Sequence, residues 1–205
     1  MKILITGCAG FIGFHLSKRL CEMKHIVYGI DNLNDYYDVK IKKDRLKILR
    51  SNKLFSFKKV DLNNKKNLEK LFRNRKFDFI VNLAAQAGVR YSIQFPQEYF
   101  DSNIVGFFNL IELARKYKIK KIISASTSSI YGKNKKMPFK ENERVDNILQ
   151  FYAASKRSNE IFGDVYSKIY DMNFIFLRFF TVYGPWGRPD MALATFVTNI
   201  IKGRK

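Results

Sequence analysis

Short apolar runs alternate with amphipathic stretches from the first residue onward, the pattern of a parallel sheet whose strands are covered by helices. The runs at 2–6, 26–30, 55–60, 79–83, 121–125 and 173–177 predict six strands. Between them the periodicity predicts helices over 11–23, 40–49, 65–72, 97–116, 152–170 and 192–201. Sustained alternation of this kind defines an α/β fold, a doubly wound parallel (Rossmann) sheet with helices on both faces, and six strands complete its usual count. The 97–116 helix is expected to turn Ile104, Phe107, Phe108, Ile111 and Leu113 to one broad side, for burial against the sheet or a partner. No internal repeat, low-complexity tract or flexible linker interrupts the pattern.

Composition changes this picture little. A chain of 205 residues with 46% apolar content can bury a sizeable core in one domain or slightly more. The apolar run at Met1–Gly7 is too short for a secretory leader, and no segment approaches the ~20 apolar residues of a membrane span, so a soluble, cytoplasmic protein is expected. Cys8, Cys21, His15 and His25 lack metal-ligand spacing, and no metal is expected. The formal charge of +20 raises the question of nucleic acid, since basic surfaces gain phosphate affinity by releasing counterions. The lysines at 40–47, 58–76, 116–121 and 133–140 are scattered over what read as solvated helix faces and loops. No basic-aromatic motif accompanies them, so no specific nucleic-acid partner is expected.

Candidate chemistry begins after the first strand. Gly7, Gly10 and Gly13 recur every third residue just before an apolar helix, so that backbone amides, with Phe11 and Ile12, can approach a pyrophosphate at a positive helix end. A Gly-rich strand-to-helix turn without a ligand is the plainer alternative. Asp31 closes the second strand, where a carboxylate accepts hydrogen bonds from both adenine-ribose hydroxyls and repels a 2′-phosphate. Asn32 and Leu33 follow it with no arginine to receive that phosphate, which favours NAD over NADP. Leu83, Ala84 and Ala85 end the fourth strand with small residues, suited to backbone lying close to a dinucleotide.

Tyr152 and Lys156 stand four apart on a predicted helix, hence on one face, with Thr127 upstream just past the fifth strand. A tyrosine with a pKa near 10 becomes a base at neutral pH only if lowered by about three units, or about 4 kcal/mol. A nearby ammonium and a positive nicotinamide ring supply energies of that scale in a partly dry cleft. Lys156 is therefore expected to stabilise the Tyr152 phenolate and to bond the nicotinamide ribose, and Thr127 to share the proton.

Thr127-Ser128-Ser129-Ile130-Tyr131-Gly132, the Tyr152 to Lys156 pair and Arg178-Phe179-Phe180-Thr181-Val182-Tyr183-Gly184-Pro185 resemble the extended short-chain dehydrogenase/reductase family of nucleotide-sugar enzymes. Asp31-Asn32-Leu33-Asn34-Asp35-Tyr36-Tyr37-Asp38 and Gly184-Pro185-Trp186-Gly187-Arg188-Pro189-Asp190 are similar to the corresponding stretches of UDP-glucuronate 4-epimerases. The resemblance implies NAD as cofactor and a UDP-sugar as substrate, with Asp61 and Leu62 at the adenine and Ser128, Ser129, Thr181 and Arg188 at the sugar carboxylate. Tyr152 would deprotonate the C4 hydroxyl during reversible oxidation at C4. Ser128 and Ser129 stand where the 4,6-dehydratases carry an acid and a base, and the decarboxylases keep a glutamate at the second position, which argues against both activities. A 4-epimerase of neutral UDP-hexoses and an inactive NAD-binding fragment are the alternatives.

The resemblance further implies residues 1–180 as the NAD-binding domain, 181–205 as the start of a substrate-binding region that is mostly absent, and a homodimer formed through the 97–116 and 152–170 helices. A chain of this extent is expected to bind NAD and to turn over UDP-glucuronate poorly.

Overall fold

The computed structural model describes residues 1–204. Six parallel strands, β1 (Lys2–Thr6), β2 (Ile26–Asp31), β3 (Phe55–Lys59), β4 (Phe79–Asn82), β5 (Lys121–Thr127) and β6 (Asn173–Phe179), lie in the order β3-β2-β1-β4-β5-β6. The expected doubly wound sheet is therefore present. Its order reverses between β1 and β4, and a crevice opens beyond the carboxyl ends of strands at such a reversal.

Helices α1 (Phe11–Glu22) and α2 (Val39–Arg50) close one face, where Phe14, Cys21, Leu46 and Leu49 pack on Ile3, Ile5 and Val27. On the other face α3 (Lys65–Arg73) contributes Leu68, Leu71 and Phe72 to a core with Leu4, Ile80 and Ile122. Two short helices, α4 (Tyr91–Gln94) and α5 (Pro96–Tyr99), lead into a π-helical turn over Phe100–Val105 and then α6 (Gly106–Lys116). A 3-10 turn at Ser128–Tyr131 precedes α7 (Phe151–Tyr170), and α8 (Ala192–Ile201) lies near the end of the chain.

The single helix expected at 97–116 is thus interrupted. Its π turn sends Asn103 inward, where one side chain joins two segments of the site described below. The broad apolar side expected there is also narrower. Phe107, Ile111 and Leu113 are buried, whereas Phe108 remains 44% exposed and Ile104 half-buried. Thr127 ends β5 rather than following it, because the β5–β6 ladder runs on to the Thr127–Phe179 pair. Among the described residues no helix is long and apolar enough to cross a membrane.

A polar ladder ties the strand ends at the reversal. The Thr6 hydroxyl donates to Asn82 Oδ1 at 2.6 Å and accepts the Leu83 and Ala84 N–H groups at 3.2 and 3.0 Å. Asn82 Nδ2 continues to Ser124 Oγ at 3.1 Å. These buried groups fix the relative height of β1, β4 and β5, and so the floor of the crevice.

Candidate active site

The crevice is a cleft of about 410 Å³, and every predicted site residue lines it, from Gly7, Gly10, Phe11, Ile12 and Gly13 to Thr181 and Arg188. Residues distant in sequence converge because α1, the β4 end, the β5 end and α7 all meet at the carboxyl edge of the sheet.

The glycine loop is shaped by close backbone approach. Gly7 has φ +70°, and a Cβ there would fall 2.7 Å from Ala84 N. A Cβ on Gly13 would lie 2.1 Å from the Gly7 carbonyl oxygen, well inside contact distance. Gly10 caps α1 without any side-chain bond, and the first turn of α1 contains no acidic residue. The leading N–H groups of α1 therefore face the cleft with the positive end of the helix behind them. A phosphate group fits this cradle, whereas a side chain at Gly7 or Gly13 would force apart the main-chain segments that form it.

Asp31 is 8% exposed. Its Oδ2 accepts from Ala9 N at 3.1 Å and its Oδ1 from Leu33 N at 2.8 Å, which fixes the carboxyl group at the cleft wall. Burial raises its pKa, against the opposing effects of the Leu33 N–H, Lys42, the Ala9 N–H and Arg45. Two basic side chains of α2, Lys42 and Arg45, flank this site, and both are buried. The expectation that the lysine-rich 40–47 stretch is a solvated face therefore fails at these two positions. Lys42 Nζ donates to the Asn34 backbone carbonyl at 2.7 Å, and Arg45 makes bonds of its own taken up below. Near the adjacent strand end, Asn32 Nδ2 donates to Asp61 Oδ2 at 2.9 Å beside Leu62.

Tyr152 and Lys156 face the cleft from α7 with Thr127 at the end of β5. Lys156 is 2% exposed, and its ammonium donates to the Ala125 carbonyl at 2.9 Å. Burial lowers its pKa from 10.5 to about 8, so roughly nine in ten molecules retain the cation at pH 7. The Tyr152 phenol stays above its ordinary value because burial outweighs the Thr127 hydroxyl and the Arg188 guanidinium, which pull it down. The expected lowering of the phenol by Lys156 is not realised by the protein groups alone. The amine is held instead by a main-chain carbonyl of β5.

Thr127 Oγ1 donates to Ser129 Oγ and accepts from Ser129 N, both at 3.2 Å, which orders the start of the 3-10 turn with Ser128 at the cleft wall. Arg188 enters from the segment after β6. Its Nε donates to Asp190 Oδ1 at 3.0 Å, and its guanidinium lies 5.4 Å over the Tyr36 ring. Tyr36 in turn donates to Asp190 Oδ2 at 3.2 Å, so the cleft mouth is spanned by a Tyr36-Asp190-Arg188 group.

Two supports escaped the sequence reading. Asn103 Oδ1 accepts from Gln86 N at 2.8 Å, while its Nδ2 donates to the Gln86 carbonyl and to Ser155 Oγ, each at 3.0 Å. It thereby clamps the β4 loop to the turn of α7 between Tyr152 and Lys156. Glu160, one turn further along, accepts from Ser126 Oγ at 2.6 Å and from Arg178 Nε and Nη2 at 3.1 and 3.0 Å, which locks α7 onto β5 and β6. An asparagine within a predicted amphipathic helix carries no sequence signal for such a role; only the π turn reveals it.

A reversed parallel sheet, a glycine cradle at the reversal and a tyrosine–lysine turn at the same edge define a doubly wound fold of the dinucleotide-binding class. The chain belongs to the NAD dependent epimerase/dehydratase family, which it matches over residues 3–205. It is 53% identical to Protein CapI of Staphylococcus aureus over 98% of this chain and 60% of that protein. A probable UDP-glucuronate 4-epimerase of Rhizobium meliloti is 47% identical over all of this chain and 60% of its own length. Among solved structures, UDP-glucuronic acid 4-epimerase from Bacillus cereus, in complex with UDP-glucuronic acid and NAD, superposes with a TM-score of 0.92 at 36% identity, covering 100% of this chain and 64% of that one. The chain thus spans between about half and three fifths of the length of the curated relatives it matches.

Proposed function

We propose that the protein performs NAD-dependent 4-epimerisation of a UDP-sugar, UDP-glucuronate to UDP-galacturonate, by transient oxidation at C4. The observation that carries this reading is the convergence of the glycine cradle, the Thr127, Tyr152 and Lys156 side chains and Arg188 on one cleft. Gly7, Gly10, Phe11, Ile12 and Gly13 would hold the pyrophosphate, with Asp31 and Asn32 at the adenine ribose and Asp61 and Leu62 at the adenine. Leu83, Ala84 and Ala85 would line the path toward the nicotinamide ribose, which Tyr152 and Lys156 would hold. NAD bound there would supply a reversible hydride acceptor for C4 and a positive charge that favours the phenolate form of Tyr152.

Tyr152 then takes the proton of the C4 hydroxyl, shared with the Thr127 hydroxyl, and returns it to the same oxygen after the sugar has presented its other face. The Lys156 cation stabilises the phenolate that stands before the proton is taken and again after it is returned. Ser128, Ser129, Thr181 and Arg188 bind the sugar carboxylate, as hydroxyl and guanidinium donors suit that group.

We assign residues 1–180 to cofactor and chemistry and 181–205 to the beginning of the sugar site. A homodimer is supported by apolar side chains that face outward on adjacent helices: Phe108 of α6 and Ile161, Val165 and Ile169 of α7, which are 44%, 49%, 41% and 64% exposed. The test of function is to supply NAD and either uronate, then resolve the two sugars. Convergence on one ratio from both directions supports the reading, and no interconversion by the protein expressed from its complete reading frame overturns it.

The bidentate engagement of Arg188 by Asp190 favours a second reading, in which the sugar is a neutral UDP-hexose and the fork never meets a substrate carboxylate. Hydrogen bonds to charged groups contribute about 1.5–3 kcal/mol, so Arg188→Ala is expected to lower kcat/KM for the uronate ~10- to 100-fold more than for UDP-glucose. Equal losses on both sugars would remove the uronate assignment.

A further inference from the structure

Arg45 is fully buried on α2, yet none of the ion pairs among the described residues includes it, and its Nε has no hydrogen-bond partner. A guanidinium without a carboxylate is costly to bury, so its position calls for a reason beyond packing. The fork joins three segments. Nη1 donates to the Ala9 carbonyl at 2.8 Å and to the Tyr37 hydroxyl at 2.7 Å, while Nη2 donates to the Trp186 carbonyl at 2.6 Å.

Ala9 lies inside the glycine loop, and its N–H already donates to Asp31 Oδ2. Trp186 lies in the turn that ends at Arg188. That turn rests on α1 by two further contacts, the Phe14 and Trp186 rings at 5.7 Å and His15 Nε2 at 2.8 Å from the Pro185 carbonyl. Trp186 itself has φ +62°, an unfavourable value for a bulky side chain, so the turn depends on its anchors for this shape. Among the described residues Arg45 is the one side chain hydrogen-bonded to both the cofactor loop and the turn.

We infer that Arg45 is a positioning residue that couples the cofactor cradle to the turn presenting Arg188. Filling the cradle fixes the Ala9 carbonyl, which holds the guanidinium fork, which seats the Trp186 turn. By reciprocity a seated turn strengthens cofactor binding by the same factor. The inference rests on the reading of the cradle as an NAD site and adds a link between the two halves of the cleft.

Trp186 is the only tryptophan of the chain and does not line the cleft, so its emission reports the seating of the turn rather than contact with the ligand. The experiment titrates the chain with NAD while following Trp186 emission, with calorimetry in parallel. In the wild type the emission is expected to shift with the calorimetric midpoint. In Arg45→Met, NAD binding is expected to weaken about 5- to 10-fold and the emission response to vanish. Should the Met variant not fold, Arg45→Lys keeps the buried cation but loses the planar fork, and its emission response is expected to fall below half that of the wild type. NAD binding that leaves wild-type Trp186 unmoved overturns the coupling alone, as does a full response in either variant. Absence of calorimetric NAD binding overturns the cofactor reading and the coupling together.

Discussion

Lys156→Met is expected to lose turnover by about 10²- to 10⁴-fold and yet, without cofactor, to be at least as stable as the wild type near pH 7. The lysine is buried in the core of the site for its chemistry, and the fold bears the cost. Burial depresses its pKa from 10.5 to about 8. Between these values the unfolded chain binds a proton that the native chain does not, so native stability rises as pH climbs through the window and falls as pH drops toward 8. Below pH 8 both states hold the proton, and the native state carries a constant cost of about 3 kcal/mol. Methionine fills a similar volume without that cost, although it leaves the Ala125 carbonyl without its donor, a loss of ~1–3 kcal/mol.

The two effects nearly balance at pH 7 and diverge above pH 8, where only the wild type gains. In a chain of this size 1 kcal/mol moves Tm by about 2–4 °C, so the Tm difference should swing toward the wild type by roughly 6–12 °C between pH 7 and 10.5. Thermal unfolding across that range measures it. Tyr152→Phe is the control, expected to lose turnover while keeping the wild-type pH slope up to about pH 9, below the range where an unfolded tyrosine loses its proton ahead of the buried one. Parallel Tm curves for Lys156→Met and the wild type would show that the amine is not held in the native state as a desolvated cation.

What could be read from sequence is what is encoded locally. The three-residue glycine spacing, the carboxylate at the end of β2 and the four-residue step from Tyr152 to Lys156 are each set within one strand, turn or helix, and all of these residues line the cleft. Alternating apolar runs were likewise sufficient for the doubly wound sheet, because a strand buried on both faces needs continuous apolar residues whatever its neighbours are. Arg45 and Lys42 were illegible for the opposite reason. They fall at the i, i+3, i+4 and i+7 spacing with Leu46 and Leu49, on the buried face of α2, but a lysine and an arginine there read by residue type as solvated, and the partners that take them up, the Asn34 carbonyl for Lys42 and the Ala9 and Trp186 carbonyls for Arg45, are set by the tertiary fold.

The interruption of the 97–116 helix followed the same logic. Nothing in Phe100–Val105 breaks a helix by propensity, and the π turn becomes favourable only once Asn103 can satisfy both backbone groups of Gln86. The spacing of Tyr152 and Lys156 likewise gave their shared face but not their partners. The carbonyl that captures the lysine belongs to β5, remote in sequence, so the direction of the tyrosine pKa was beyond what helical geometry alone can give.

The remaining large effect lies at the glycine loop, where Gly13→Ala is expected to abolish measurable cofactor affinity, by at least ~100-fold, and to destabilise the chain by about 2–4 kcal/mol. The methyl would sit 2.1 Å from the Gly7 carbonyl oxygen and 2.9 Å from Cys8 Cα. Both are main-chain atoms that no rotamer change can move aside, so α1 must retreat from β1 or the loop must open. Either movement withdraws the leading N–H groups of α1 from the cradle, which links the loss of stability to the loss of binding. Gly10 provides the graded comparison, since its Cβ would meet the same oxygen at 3.0 Å and its φ of −71° suits any residue. Gly10→Ala is therefore expected to fold nearly as well as the wild type and to lose affinity through crowding of the phosphate alone. Calorimetric NAD titration beside thermal unfolding of the two variants separates these outcomes. Retention of NAD affinity within a few-fold in Gly13→Ala would mean that the close packing of α1 on the Gly7 turn does not shape the binding site.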